Sequence, residues 1–293
     1  MLNWLFIFES CISGLLAGFL SWLTYHGGNP WNLIENFQTG LMTSGMFCGL
    51  FAGLASFLPI IVMERKLSKA LNYLVSGFVV GFSISVLFGV VYSLIIESII
   101  NSGTTIPSSV IRFFWWLILS IGLSSSFGFL HGSIKALCRG LMGFTPAFIV
   151  AGALTDKIFI IDNRYMLSFL FLGGTIGLGF SIAWELLKEA WLDEYKGWGI
   201  NFRYYIDESE FSCGSSDECD LTIKSGPEVS FVITEKDSVH VFELQDENFG
   251  ASVNKSKFRY RALVDGDKIN VLDKELIYHS TLSRTREEMP ELS

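Results

Sequence analysis

Few residues in this chain have the type and spacing that catalysis requires. It contains no HExxH and no GxSxG segment, so neither a zinc-activated water nor a nucleophile elbow is expected. His131 lies close to Ser124–Ser126, but at the end of an apolar run, and no membrane-embedded Ser/His pair results. Four ionisable residues fall in or beside apolar runs: Glu9, Glu97, Arg112 and Glu185. An acid or base held in hydrocarbon costs a few kcal/mol and therefore calls for a reason. Glu9 is the deepest, roughly 10 Å from its helix start at about 1.5 Å per residue. It could bind a cation or a proton, pair with Arg139, or reach the interface. The cysteines suggest no metal or redox centre. Cys11, Cys48 and Cys138 read as small apolar fillers. Cys213 and Cys219 lack the second pair that zinc needs, and His240 and His279 alternate with apolar neighbours as strand residues do. No enzyme, metal or cofactor is expected.

The elements that hold these residues divide sharply. Half of the 293 residues are hydrophobic and only 17% are charged, with a mean hydropathy of +0.44. Soluble domains carry about 25% charged residues. Residues 1–192 hold 9 Lys/Arg and 8 Asp/Glu, whereas residues 193–293 hold 12 and 21. A change of solvent at that point explains the change in charge density: lipid first, water second. The acidic second part argues against nucleic acid, whose phosphates need clustered cations. The expected architecture is a membrane all-α bundle of about six helices followed by an all-β sandwich. The divisions are a polytopic helical domain over 1–192, a β-sandwich over 193–280 and a polar tail over 281–293.

Six runs reach the roughly 20 apolar residues that a span needs. They are Leu2–Tyr25, Phe37–Met63, Leu71–Ile100, Pro107–Leu130, Leu137–Phe159 and Tyr165–Leu192. The first has no basic leader and is too long for a cleaved signal peptide. Cations gather in the second loop (Arg65, Lys66, Lys69) and the fourth (Lys135, Arg139), while the first and third loops have none. The fifth is mixed. Positive loops stay inside, which places both termini in the cytoplasm of a plasma (inner) membrane protein.

Small residues recur every fourth position within the spans. Gly45, Gly49 and Gly53 mark the second, Gly77, Gly81, Ser85 and Gly89 the third, and Gly173, Gly177 and Ser181 the sixth, with Gly14 and Gly18 in the first. Such stripes let helix backbones approach where lipid gives no hydrophobic drive. Plain packing within the bundle is the expected use; a sliding helix pair or a homo-oligomer seam is the functional one. Pro59 and Pro146 are expected to kink their spans.

Residues 200–280 read as short strands: Phe202–Ile206, Glu210–Gly214, Leu221–Ile223, Val229–Thr234, Val239–Leu244, Lys268–Val271 and Glu275–His279, separated by turn clusters. Three segments carry a resemblance. They are Phe211–Leu221 (FSCGSSDECDL), Asp246–Asn254 (DENFGASVN) and Leu263–Ile269 (LVDGDKI) with the closing Glu275–Tyr278. In that order, over about 80 residues, they are similar to the forkhead-associated (FHA) domain. Leu186–Leu192 resembles the helix that joins glycine-rich membrane bundles to FHA domains in some bacterial proteins.

The resemblance implies a protein-interaction module that meets phosphothreonine peptides through loops at one end of a sandwich. It also implies a bacterial signalling setting with kinases, phosphatases or von Willebrand-type partners. Its binding positions map onto Gly214, Ser215, Ser216, Ser230, Asn248 and Gly250. The phosphate-gripping arginine of the family is replaced by Ser215. Ser216 keeps a phosphate-binding serine, Ser230 stands without the histidine that follows in the family, and Phe249 splits Asn248 from Gly250. Scaffold positions are kept better than phosphate positions. The expected function is a membrane-anchored scaffold or signalling component that recruits a cytosolic protein without strong phosphothreonine binding. The alternative is a channel or transporter gated by the same domain.

Overall fold

The computed structural model describes residues 3–24, 37–63, 67–158, 165–196, 200–206, 210–216, 219–223, 225–236, 239–246, 250–272 and 274–281. The chain splits into two compact units, Met1–Leu187 and Lys188–Ser293.

The first unit contains α1 (Trp4–Leu23), α2 (Phe37–Met63), α3 (Leu67–Asn101), α4 (Ser108–Leu130), α5 (Ile134–Ile158) and α6 (Tyr165–Leu186). All six are long and apolar enough to cross a membrane. Sequential neighbours run antiparallel, and the small residues mark their contacts. A methyl placed on Gly14 would overlap the Gly173 carbonyl, and one on Gly177 would overlap that of Ser10, so α1 and α6 meet backbone to backbone. In the same way α2 lies on α3. A methyl on Gly49 would stand 2.8 Å from the Phe78 oxygen, and one on Gly77 2.8 Å from the Gly53 Cα. Gly45 faces Val86 and Phe82, Gly53 faces Leu74, Gly81 faces Cys48, and Gly89 faces Leu41 and Trp115.

Aromatic rings fill the centre. Phe51 of α2 lies 6.2 Å from Phe127 of α4, 5.6 Å from Phe144 of α5 and 6.0 Å from Phe180 of α6. Phe6 of α1 reaches Phe180 at 6.0 Å. Five helices thus converge on one cluster. On the outside, Val79, Leu87, Val91, Phe114 and Leu167 are exposed, a surface suited to hydrocarbon rather than water.

The polar residues of this unit are mostly satisfied along their own helices. Ser13, Ser44, Ser124 and Ser126 each donate to the carbonyl four residues back. Glu185 accepts from the Asn3 N–H at 3.0 Å. Glu9 is 5% exposed, and neither carboxylate oxygen has a hydrogen-bond partner among the described residues. Among the described residues, the pairing with Arg139, one of the alternatives for Glu9, is absent. Arg139 donates to the Leu187 carbonyl at 3.1 Å and lies over Trp184.

The second unit contains β1 (Ala190–Lys196), β2 (Ile200–Tyr205), β3 (Glu210–Gly214), β4 (Leu221–Thr222), β5 (Phe231–Lys236), β6 (Val239–Leu244), β7 (Ser252–Val253), β8 (Tyr260–Ala262), β9 (Lys268–Val271) and β10 (Lys274–Ser280). They form two five-stranded sheets, ordered β2-β1-β10-β9-β7 and β4-β3-β5-β6-β8. All pairs are antiparallel except β3 with β4. The result is an FHA-like β-sandwich. Its core holds Leu192, Phe211, Cys213, Phe231, Ile233, Phe242, Ile269, Leu276 and Tyr278, with β5 and β6 buried at consecutive positions. Tyr278 of β10 shares a hydrogen bond of 2.8 Å with His240 Nδ1 of β6, which joins the two sheets through the core.

Three expectations need correction. The sixth span does not run to Leu192, and Leu186–Leu192 is not a joining helix. Helix α6 stops at Leu186, and from Ala190 the chain is strand, paired on both sides with β10 and β2. Ala190 and Leu192 face the sandwich core while Trp191 and Asp193 take the other face, so an apolar run that reads as helix is one buried strand. By their contacts the two compact units divide at Leu187/Lys188. Lys69, counted with the second loop, is a buried residue in the first turn of α3.

Candidate functional site

The candidate site is built where β3 ends. Residues 211–214 alternate into the core and pair with β5, which carries the chain to Gly214. There the Glu228 carbonyl passes so close that any side chain at 214 would collide with it, which makes glycine obligatory for this approach. The next residues are fixed by the same segment. Ser215 donates from its backbone N–H and from its hydroxyl to the Pro227 carbonyl, each at 3.0 Å. The Ser216 N–H donates to Glu228 O at 3.2 Å. Cys219 closes the turn, its N–H donating to Ser216 O and its thiol to Glu228 O, both at 3.3 Å.

Ser230 lies one strand away and is fully buried. Its N–H donates to Cys213 O at 2.7 Å, and its carbonyl accepts from Gln245 N–H at 3.0 Å. Its hydroxyl has no hydrogen-bond partner among the described residues. Gly214, Ser215, Ser216 and Ser230 therefore form one cluster around the Pro227–Ser230 segment. Gly250 is exposed, with nothing within 4 Å of a methyl placed on it. Asn248 lies outside the described residues.

Asp220 is exposed but engaged: its Oδ2 accepts from Ser212 N–H at 2.7 Å and from the Ser212 hydroxyl at 3.0 Å. Asp217 and Glu218 lie outside the described residues. Burial holds the Cys213 thiol well above its ordinary range, with the Cys219 thiol and the Asp220 carboxylate adding to the effect and Lys274 opposing it. Cys213 is thus a neutral core group and not a nucleophile at physiological pH. Among the described residues no group of three or more His, Cys, Asp or Glu side chains could hold a metal.

Sequence reasoning missed the Pro227–Val229 segment, which supplies the carbonyls that pin Ser215 and Ser216. The proline and the turn cluster around it were visible, but backbone acceptors carry no residue signature.

No protein-family model matches this chain, and no curated protein matches it. Solved structures with some similarity include an FHA domain analysed for phosphothreonine-dependent interactions (19% identity, covering 31% of this chain and 96% of that one, TM-score 0.29). The FhaA FHA domain, in complex with the intracellular domain of another protein, shows 20% identity over 31% of this chain and 99% of that one, TM-score 0.28. EmbR of Mycobacterium tuberculosis, in complex with a low-affinity phosphopeptide, shows 14% identity over 86% of this chain and 71% of that one, TM-score 0.30.

Proposed function

We propose that this chain is a membrane-anchored interaction protein. Six helices cross the bilayer and hold an FHA-like sandwich, which recruits a cytosolic protein partner as a scaffold or signalling component. The partner meets the loops around Gly214–Ser216 largely without phosphothreonine. The observation that carries this reading is the state of Ser215. It occupies the position where the FHA pattern has its phosphate-gripping arginine, and its hydroxyl is spent on the Pro227 carbonyl. A guanidinium offers charge and two parallel donors to a phosphate; a hydroxyl already donating to a carbonyl offers neither.

The test is titration of the full chain in nanodiscs with a phosphothreonine peptide library and matched unphosphorylated peptides. Equal, weak binding of both sets supports the reading. Micromolar binding that vanishes on dephosphorylation overturns it. The cytoplasmic placement has its own test. A cysteine replacing Thr104 should label from outside the cell and one replacing Leu67 should not; reversed labelling removes the cytosolic partner.

A channel or transporter gated by the FHA-like domain is the second reading, and the observation in its favour is the buried carboxylate of Glu9, which has no hydrogen-bond partner among the described residues. Flux measurements in liposomes separate the two.

A further inference from the structure

The second unit is acidic, yet four of its 13 Lys and Arg residues fall within seven positions: Lys255, Lys257, Arg259 and Arg261. No Asp or Glu occurs between Asn248 and Val264 to dilute them. The run begins in the hairpin turn after β7 and ends in β8, which is the free edge of the β4-β3-β5-β6-β8 sheet. That edge is opposite the one beside Gly214–Ser216, so this patch is separate from the candidate site. Two aromatic side chains are interleaved with the cations and stay in solvent, Phe258 at 36% and Tyr260 at 47% exposure. Arg261 lies over the Phe258 ring at 4.3 Å and Arg259 near the Tyr260 ring at 5.7 Å. Lys255 and Lys257 have no ion-pair partner among the described residues.

The turn itself is shaped around a lysine. Val253 and Ser256 exchange both backbone hydrogen bonds, at 2.9 and 3.0 Å, leaving Asn254 (φ 52°) and Lys255 (φ 66°) as the two central residues. Two-residue turns of this kind favour Asn-Gly, because both positions are left-handed. A β-carbon at the second position is disfavoured, yet a cation stands there.

We propose that Lys255, Lys257, Arg259 and Arg261, with Phe258 and Tyr260, form a docking surface for the anionic lipid headgroups of the membrane that the helices span. Three observations select lipid as the occupant. The charge is complementary to anionic headgroups, which attract Lys and Arg side chains lying near the membrane surface. Mixed basic and aromatic side chains are the composition that settles at a membrane–water interface. Finally, only Leu187, Lys188 and Glu189 separate α6 from β1, at most about 14 Å of chain. This rests on the proposed reading of α6 as a membrane span, under which β1 begins within that length of the bilayer. Cations on an edge strand also prevent edge-to-edge pairing, but that task does not call for Phe258 and Tyr260 to be exposed beside them.

The experiment is lysine acylation footprinting of the full chain, read by mass spectrometry. It compares nanodiscs of phosphatidylcholine with nanodiscs containing phosphatidylglycerol. Lys236, the last residue of β5 and outside the patch, is the internal control. Acylation of Lys255 and Lys257 should slow severalfold on the anionic discs relative to Lys236. The difference should disappear at high salt, as surface electrostatics require. In a Phe258→Ser/Arg259→Gln variant the protection should shrink. Equal rates on the two lipids, or slowing shared by Lys236, overturns the proposal. Protection produced by an acidic or phosphorylated peptide on neutral discs, and not by anionic lipid, reassigns the patch to a protein and also overturns it. None of these outcomes bears on peptide binding at Ser215, so the two readings stand or fall separately.

Discussion

Asp220 turns its Oδ2 back onto Ser212, accepting from the N–H at 2.7 Å and from the hydroxyl at 3.0 Å, which sets a carboxylate at the base of the turn that begins with Ser215. A dianionic phosphate approaching this turn meets a negative charge and no arginine. Ser215→Arg restores the missing cation. We expect it to raise affinity for phosphothreonine peptides by on the order of tenfold or more, with unphosphorylated peptides unaffected. Titration of both proteins with one peptide series measures this. No gain from the arginine would mean that another cation already serves the phosphate.

In the helical unit, the closest backbone approach is between Gly14 and Gly173. A methyl at either position would meet main chain, which cannot swing away, whereas one on Gly174 would meet only the Leu15 side chain at 3.3 Å. Gly14→Ala and Gly173→Ala should each destabilise the bundle by about 1–3 kcal/mol, and Gly174→Ala by much less. Gly49→Leu, which drives a side chain into the Phe78 carbonyl, should be at least as damaging. Thermal unfolding in detergent ranks the four. Equal midpoints would show that helices α1 and α6 separate at no cost.

The sandwich holds a buried ion pair where β1 crosses β2. Arg203 donates from Nε to Asp193 Oδ1 at 2.8 Å and from an Nη to Oδ2 at 3.0 Å, with both side chains about 5% exposed. Removing one partner strands a buried charge. Asp193→Asn or Arg203→Met alone should therefore cost about 3–5 kcal/mol. The double variant Asp193→Leu/Arg203→Met should recover much of that loss, since well-packed apolar pairs replace such ion pairs readily. Additive losses in the thermal midpoints would mean that the two residues act independently.

Much of this architecture is legible in the residues. Six apolar runs of span length and a jump in charge density define the helical unit. Alternation in Val239–Leu244 and the turn at Asp265–Asp267 define strands. What escaped is instructive. Strand β1 continues the apolar run of α6 with no breaking residue, so only its pairing with β10 and β2 reveals it. Strands β7 and β8 are two and three residues long, too short for any period to register. At the candidate site, Gly214, Ser215 and Ser216 could be found from the motif. Their geometry could not, because Pro227 and Glu228 act through backbone carbonyls. The polar tail after Thr281 lies outside the described residues.

Two protons in the sandwich link its stability to pH. Burial raises the Cys213 thiol well above its ordinary value near 9 and pushes the Tyr278 phenol up to about 12 from 10. In both cases the folded state binds the proton more tightly than the unfolded chain. Their contribution is thus complete below the unfolded values and is lost as pH rises through the folded ones. We expect the sandwich to lose stability progressively from about pH 9 towards pH 12. Cys213→Ala should flatten that slope even if it lowers stability at neutral pH. A slope unchanged in this variant would assign the alkaline transition to other groups.

Lys255 gives the last prediction, and it sets stability against use. Its φ of 66° places a β-carbon where only glycine is free of strain. An L-residue held in the left-handed region costs roughly 1–2 kcal/mol. The turn around it is otherwise complete, with Val253 and Ser256 bonded on both sides and Asn254 braced by its Nδ2 donating to Asp267 at 2.6 Å and its Oδ1 accepting from Lys268 N–H at 2.9 Å. Nothing in this bonding depends on the lysine side chain. Lys255→Gly should consequently stabilise the sandwich by about 1 kcal/mol, read as a higher thermal midpoint of the full chain. The same substitution removes one of four clustered cations, so the slowing of Lys257 acylation on anionic nanodiscs should weaken. A fall in the midpoint would mean that the lysine contributes contacts larger than its backbone strain. A stabilised variant with undiminished protection at Lys257 would leave the strained cation without a part in lipid binding.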